Sequence, residues 1–186
     1  IAHRGLHDRE NGVIENSRDA FEAAVARRFA IECDLQLSSD GVPIVFHDDT
    51  LERLTDRTGP VGALTADDLS STPLLGSAGG NMPQRLGDLL SQIAGRTLLQ
   101  IELKRQPTRA MGDVLARRTV EALAAYRGPV TLESFDPYLV ARVRRYGFAG
   151  AIGIITYRYD QPEWDGDLTA GQRFVLNGWM HSVLST

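Results

Sequence analysis

Two different periods of hydrophobic and polar positions follow each other along this chain, and they predict strands and helices in turn. Residues 30–38 alternate strictly and predict a strand, and the Asp40-Gly41 turn signal predicts a hairpin to the next strand at 42–47. The other predicted strands are 1–4, 98–104, 130–135 and 151–157, and the predicted helices are 16–29 (capped by Asn16 or Ser17), 85–94, 108–126, 137–146 and 177–184.

Strands that alternate with helices predict an α/β fold with a mostly parallel sheet and helices outside. Residues 49–81 are rich in Asp, Thr, Ser and Gly, and they predict an irregular surface excursion with one helical turn near 66–69. The pattern is compatible with two architectures, an open doubly wound sheet and a closed barrel. The first strand lacks a Gly-rich dinucleotide fingerprint after it.

Acidic side chains occupy one face of each of two predicted strands. Glu32 and Asp34 share a face of the strand at 30–38, and Glu102 shares a face with Lys104 in the strand at 98–104. Buried charges are costly unless they are paired or bind a metal, so a common polar lumen is expected, which favours the barrel. A divalent cation, Mg²⁺ or Ca²⁺, would relieve the repulsion between the three carboxylates. The alternative is that they pair with Lys104, Arg4 or Arg105.

Two histidines also lie at predicted strand ends, and each precedes a charged residue: His3-Arg4 and His47-Asp48. A pair of histidines can serve as general acid and general base near neutral pH. Arg4 and Lys104 supply positive charge of the kind that holds phosphate oxygens. Together with a metal, these residues predict a phosphodiester-cleaving site. His7 is interpreted as a surface residue of the loop at 5–15, and His181 is given no role.

Composition limits the remaining classes of function. The 186 residues are 42% apolar and 24% charged, as in an ordinary globular domain. The net charge is −4 and the sequence has no long basic run, so nucleic acid is disfavoured as a partner. No apolar run reaches the ~20 residues of a membrane span. The single cysteine, Cys33, lies on the apolar face of its strand and is expected to be inert. A cytoplasmic location is expected, although export stays open because the chain begins at Ile1 rather than Met.

The sequence resembles the glycerophosphodiester phosphodiesterase family. The matching segments are His3-Arg4-Gly5, Glu15-Asn16, Glu32-Cys33-Asp34, Val45-Phe46-His47-Asp48, Glu102-Leu103-Lys104 and Ser134-Phe135. The resemblance implies a TIM-type (β/α) barrel that hydrolyses small-molecule glycerophosphodiesters to glycerol 3-phosphate and an alcohol. It implies His3 and His47 as the acid/base pair, Glu32, Asp34 and Glu102 as ligands of one divalent cation, and Arg4 and Lys104 as the phosphate-binding residues. It also implies attack by the glycerol 2-hydroxyl to give a cyclic phosphate, which water then opens.

The sequence departs from the family pattern mainly near its end. About six of the eight barrel strands are visible, and neither Trp164 nor Trp179 is followed by the threonine of the family's closing strand. We therefore expect residues 1–186 to be a single barrel domain that is incomplete at the C-terminal end. Ile14 and Ser17 stand where the family usually has proline and threonine. Two alternative functions stay open: a phosphodiesterase of the lysophospholipase D type, and a catalytically inactive barrel that binds phosphodiesters. The pattern leaves the oligomeric state open.

Overall fold

A computed structural model describes residues 1–156 of the protein. The strands are β1 (Ile31–Leu37), β2 (Pro43–Val45), β3 (Leu99–Leu103), β4 (Val130–Ser134) and β5 (Ala151–Ile154), and the helices are α1 (Arg18–Ala26), α2 (Ala66–Ser70), α3 (Leu86–Ile93), α4 (Arg109–Leu123) and α5 (Pro137–Arg145). Short 3-10 turns occur at Arg9–Asn11 and Val61–Ala63. The predicted helix at 177–184, His181 and both tryptophans lie outside the described residues. All of these elements lie in one compact unit, Ile1–Ile154.

The strands form one sheet in the order β2-β1-β3-β4-β5. Strands β1, β3, β4 and β5 are parallel, while β2 is antiparallel to β1. Helix α4 connects β3 to β4 and helix α5 connects β4 to β5, which is the repeating βα unit of a barrel. The predicted α/β class and parallel sheet are confirmed. The strand predicted at 1–4 is reduced to an isolated parallel bridge between Ala2 and Ile31.

The predicted turn at Asp40-Gly41 is the tip of the β1–β2 hairpin. Asp40 Oδ1 accepts hydrogen bonds from Ser38 Oγ at 2.7 Å and from the backbone N–H of Ala66 at 2.9 Å, so the turn is also joined to the start of α2. Beyond β2, the backbone N–H of Phe46 donates to the Asp34 carbonyl at 3.1 Å. The hairpin therefore brings the chain that leads to His47 directly beside the acidic strand β1.

Helix α1 begins where its cap predicts and ends earlier than its pattern predicts. The Ser17 hydroxyl accepts from the backbone N–H of Ala20 at 3.2 Å, which caps the helix. The predicted end at residue 29 is wrong, because the helix ends at Ala26 and Arg28 adopts a left-handed φ of 58°. The turn is needed because β1 starts only three residues after Arg28, so the chain has no room for another helical turn.

The buried apolar side chains form two clusters. The larger one lies between the sheet and its helices and includes Ile31, Cys33, Leu35, Leu89, Ile93, Ile101, Leu115, Leu132 and Leu139. The second consists of Ile14, Ile44, Phe46, Leu51, Leu54, Val61, Ala66, Leu69 and Leu74. Most of the second cluster belongs to residues 49–81, so that segment is irregular in backbone yet packed around its own buried side chains. It forms a wall beside β2 and the chain that leads to His47.

The Gly5→Ala substitution should destabilise the protein more than Gly59→Ala. Both glycines have a left-handed φ, 80° and 95°, so both variants carry a backbone cost of about 1–2 kcal/mol. A Cβ at Gly5 would lie 2.8 Å from Ala20 Cβ and 2.9 Å from Ala20 carbonyl carbon, whereas a Cβ at Gly59 meets nothing within 4 Å. Overpacking at Gly5 should add about 1–3 kcal/mol to the loss, measured by urea unfolding. Equal losses in the two variants would contradict the close approach of the residue 3–5 turn to α1.

Candidate active site

Three carboxylates meet on the polar face of the sheet. The register of β1 and β3 sets Asp34 opposite Glu102, and Glu32 lies two residues before Asp34 on the same face of β1. One carboxylate oxygen of each residue lies within 4.8 Å of the others, and all three side chains are buried. Carboxylate oxygens gathered in this way are ligands that suit a hard divalent cation. The group could therefore hold a metal ion, which is the convergence that the alternation of strand positions predicted.

The electrostatics of the group favour a cation. Burial, followed by the charges of Asp34 and Glu102, raises the pKa of Glu32 to about 8, although the hydrogen bond from the backbone of Arg4 acts in the opposite direction. Burial also raises the pKa of Glu102, although Lys104 acts in the opposite direction. Without a cation, the site thus holds a proton near neutral pH. A divalent ion would replace that proton and leave all three groups ionised.

Both predicted phosphate-binding cations lie beside these acids. Lys104 Nζ is 3.0 Å from Glu102 Oε1 and 3.5 Å from Asp34 Oδ1, and Arg4 Nε is 3.6 Å from Asp34 Oδ2. Asp34 and Glu102 therefore do pair with Lys104 and Arg4, as the alternative interpretation predicts. This pairing does not remove the case for a metal, because burial still raises the pKa of both glutamates with these cations in place.

The turn at residues 3–5 is held against the acids by backbone contacts. Arg4 has a left-handed φ of 55°, and its N–H donates to Glu32 Oε2 at 2.9 Å. Asn16, also left-handed at 54°, donates its N–H to the Arg4 carbonyl at 2.8 Å and its side-chain Nδ2 to Asp34 Oδ2 at 2.8 Å. Strained backbone of this kind concentrates at functional sites, where the surrounding contacts hold it in place. Asn16 therefore contacts one of the carboxylates and the residue 3–5 turn at the same time.

His3 lies at the edge of the acidic group, and His47 lies next to the same face of β1, where its carbonyl accepts from Gln36 Nε2 at 3.4 Å. His3 Nε2 is 3.8 Å from Glu32 Oε2, and partial desolvation and the charge of Arg4 lower the pKa of His3. His47 Nδ1 is 2.7 Å from Asp48 Oδ1. When His47 is neutral with its proton on Nδ1, the N–H donates to Asp48 and leaves Nε2 free to exchange a proton. The structure thus brings together all seven residues predicted for the site, and their chemical roles stay predictions.

Sequence reasoning missed two charged residues that belong to the site. Glu133 of β4 lies opposite Glu102 in the register, and Gln100 Nε2 donates to its Oε1 at 2.7 Å. The same alternation that identified Glu102 could have found it. Arg53 contacts both Glu15 and Asp48. Arg53 lies in the irregular segment 49–81, where no periodic signal points to it.

The sequence model of the glycerophosphoryl diester phosphodiesterase family matches residues 3–147. The chain belongs to this family. Curated proteins named glycerophosphodiester phosphodiesterase 1 from Bos taurus and Homo sapiens are 37% and 36% identical to it over 70 residues, which is 37% of this chain. The matched segment covers 20% of each relative, so the comparison spans about a fifth of their length.

Solved structures of the family share the fold. A phosphodiesterase from Oleispira antarctica, in complex with the product sn-glycerol-3-phosphate, superposes with a TM-score of 0.76 at 22% identity, over 89% of this chain and 69% of that one. A glycerophosphodiester phosphodiesterase from Agrobacterium tumefaciens gives 0.68 at 25% identity, over 81% and 64%. The predicted TIM-type barrel is confirmed, and the described strands account for part of it. Among the residues that the structure describes, no helix is long and apolar enough to cross a membrane.

The stability of the metal-free protein should fall as pH rises, and Glu32 should be a main cause. The folded protein keeps a proton on Glu32 up to its pKa of about 8, while the unfolded chain releases it near 4.5. Between these values the folded state binds more protons, so the free energy of unfolding decreases with pH, by at most ~1.4 kcal/mol per unit for one group. Glu32→Gln should flatten this slope in urea titrations from pH 5 to 8 with chelator present.

The exposed Glu10→Gln variant is the control for this titration, because Glu10 lies outside the acidic group. It should keep the slope of the unchanged protein. If Glu32→Gln and Glu10→Gln gave the same slope, the proton held by the acidic group would be assigned wrongly.

Proposed function

We propose that this protein hydrolyses glycerophosphodiesters to glycerol 3-phosphate and an alcohol, with the aid of a divalent cation. The observation that carries the proposal is a group of three buried carboxylates on the polar face of the sheet, with His3, Arg4 and Lys104 beside it. His47 lies next to the same face, since Gln36 of β1 donates to its carbonyl. Membership of the family supports the reaction class. The product seen with the Oleispira antarctica phosphodiesterase supports the glycerol phosphate part of the substrate.

Glu32, Asp34 and Glu102 are proposed to hold the cation, which fits Mg²⁺ or Ca²⁺ because both prefer carboxylate oxygens. The bound ion would withdraw charge from the phosphoryl oxygens. Arg4 and Lys104 would then turn towards the phosphate, because a metal takes over the neutralisation of the acids that they now contact. Arg can hold two phosphate oxygens through its planar group, and Lys acts as a compact point charge.

The histidines would move the protons. The lowered pKa of His3 keeps it neutral near pH 7, so His3 is suited to accept the proton of the glycerol 2-hydroxyl as that oxygen attacks phosphorus. His47 Nδ1 lies 2.7 Å from Asp48 Oδ1, a contact that orients the imidazole ring, and His47 is proposed to protonate the departing alkoxide. The first step forms the bond from the 2-oxygen to phosphorus, breaks the bond to the alcohol and leaves a cyclic phosphate. Water then opens the ring with the two histidines in reversed roles.

Replacing His47 with Ala should abolish most of the turnover and leave metal binding largely intact. A general acid contributes about 10²- to 10⁴-fold to a rate, so kcat for glycerophosphocholine should fall by that order. His47 is not among the three carboxylates, so the affinity for Mg²⁺, measured by calorimetry, should change little. His7→Ala, which removes an exposed histidine of the neighbouring loop, is the matched control and should keep kcat within about twofold. Activity that survives the loss of His47 would overturn the acid/base assignment.

Product release should depend on a divalent cation. The assay compares glycerophosphocholine, glycerophosphoethanolamine, glycerophosphoinositol and a lysolipid, each with chelator and after addition of Mg²⁺ or Ca²⁺. Glu102→Gln should raise the cation concentration needed for half-maximal activity, because it removes one of three charged ligands, whereas the exposed helix variant Glu121→Gln should not. Turnover that ignores the chelator would remove the metal from the mechanism. A preference for the lysolipid would favour the lysophospholipase D alternative, and no turnover of any substrate would favour the inactive barrel.

A further inference from the structure

One arginine in the segment 49–81 contacts two carboxylates at once. Arg53 donates to both oxygens of Glu15, from Nη1 to Oε2 at 2.9 Å and from Nη2 to Oε1 at 2.7 Å. It also donates to both oxygens of Asp48, from Nε to Oδ2 at 2.6 Å and from Nη2 to Oδ1 at 2.8 Å. Three nitrogens of one planar group therefore fix the orientation of two acids, with geometry that a lysine cannot reproduce.

Each of these two acids holds a residue of the candidate site. Glu15 Oε1 accepts a hydrogen bond from Arg4 Nη1 at 2.9 Å, and Asp48 Oδ1 lies 2.7 Å from His47 Nδ1. A continuous path of charged contacts thus runs from the proposed phosphate-binding arginine to the proposed acid/base histidine. Arg53 lies at its centre and touches neither of them directly.

The charges along this path depend on Arg53. Burial alone would raise the pKa of both acids, yet the hydrogen bonds from Arg53, with those from Arg4 to Glu15 and from His47 to Asp48, hold each pKa at about 2. Because one nitrogen of Arg53 contacts both carboxylates, their oxygens lie next to each other. Without the arginine, two partly buried negative charges would repel, and both would lose the orientation they give to Arg4 and His47.

The backbone around Arg53 is held firmly enough to position it. Its neighbours Leu51 and Leu54 are buried in the second apolar cluster. The backbone N–H of Leu54 donates to the Leu51 carbonyl at 3.3 Å, and that of Thr55 donates to the same carbonyl at 3.0 Å. The packed wall of residues 49–81 therefore presents Arg53 at a fixed place beside the site.

We propose that Arg53 is a positioning residue of the active site, which sets the orientation of Arg4 through Glu15 and of His47 through Asp48. The proposal rests on the proposed phosphodiesterase function for its kinetic consequences. It gives the segment 49–81 a role in the reaction, since the anchored segment carries the residue that aligns phosphate binding with proton transfer.

The kinetic test compares Arg53→Ala, Arg53→Lys and the control Arg96→Ala in the intact chain with saturating Mg²⁺. Arg96 also forms a two-pronged pair with a glutamate, Glu22, through contacts of 3.0 and 2.9 Å, so the control removes a similar ion pair elsewhere. Misplaced catalytic groups cost about 10²-fold, so Arg53→Ala should lower kcat by that order and raise KM as well, because both His47 and Arg4 lose their alignment. Arg53→Lys keeps the charge but cannot bridge both acids, and it should recover less than a tenth of the lost kcat.

Chemical rescue separates alignment from folding. Millimolar guanidinium should restore part of the activity of Arg53→Ala by occupying the vacated position between the acids, while ethylammonium should not. A purely structural role would lower kcat in proportion to the folded fraction, leave KM unchanged and give no rescue. That pattern, or full activity in Arg53→Lys, would overturn the proposal.

A spectroscopic arm tests the positioning without any substrate. The ring nitrogens of ¹⁵N-labelled histidine report which nitrogen of His47 carries the proton, and the chain has four histidines, so His47→Gln assigns the signal. Arg53→Ala should reduce the fraction of neutral His47 protonated on Nδ1, and Arg96→Ala should not. If this change occurs while the unchanged protein hydrolyses none of the substrates, the proposed function fails and the positioning stands. An unchanged His47 signal in Arg53→Ala would overturn the positioning.

Discussion

The crowding of carboxylates on one face of a parallel sheet is the constraint on which the rest of this site depends. Asp34 faces Glu102 across two paired strands, with Glu32 beside them, and all three side chains are buried, where unpaired charge is costly. The surroundings compensate with Lys104, the backbone and side chain of Arg4, and a raised pKa on each glutamate. A divalent cation held by these three carboxylates would remove the repulsion between them directly.

The contacts around this group come from chain segments of very different character. Strands β1 and β3 give the acids a fixed spacing, since hydrogen-bonded strands cannot slip without exposing their apolar faces. The residue 3–5 turn and Asn16 use left-handed backbone to reach the acids from the other side. Residues 49–81 have little regular structure, yet their buried cluster holds Arg53 against Asp48 and Glu15. Rigid strands thus place the three carboxylates, and an irregular packed segment supplies the arginine that contacts Asp48 and Glu15.

Much of the fold was readable from local patterns. The alternation at residues 30–38, the cap at Ser17 and the turn at Asp40-Gly41 each correspond to an element of the structure. The errors occur where long-range contacts override a local pattern: α1 stops at Ala26 because the chain must turn into β1, and the first strand shrinks to Ala2. The superposition with solved structures confirms the barrel class that the polar faces favoured.

The sequence by itself determined which residues share a face, because the two-residue period of a strand is local and fixed. It thereby identified Glu32, Asp34 and Glu102 as one group, and the same alternation places Glu133 on the polar face of its strand. Only the tertiary structure decided that Lys104 contacts two of the acids, that Asn16 orients Asp34, and that Arg53 joins Glu15 to Asp48. These contacts join residues brought together by strand pairing and by the packing of residues 49–81, and no period along the chain encodes the distance between side chains on different segments.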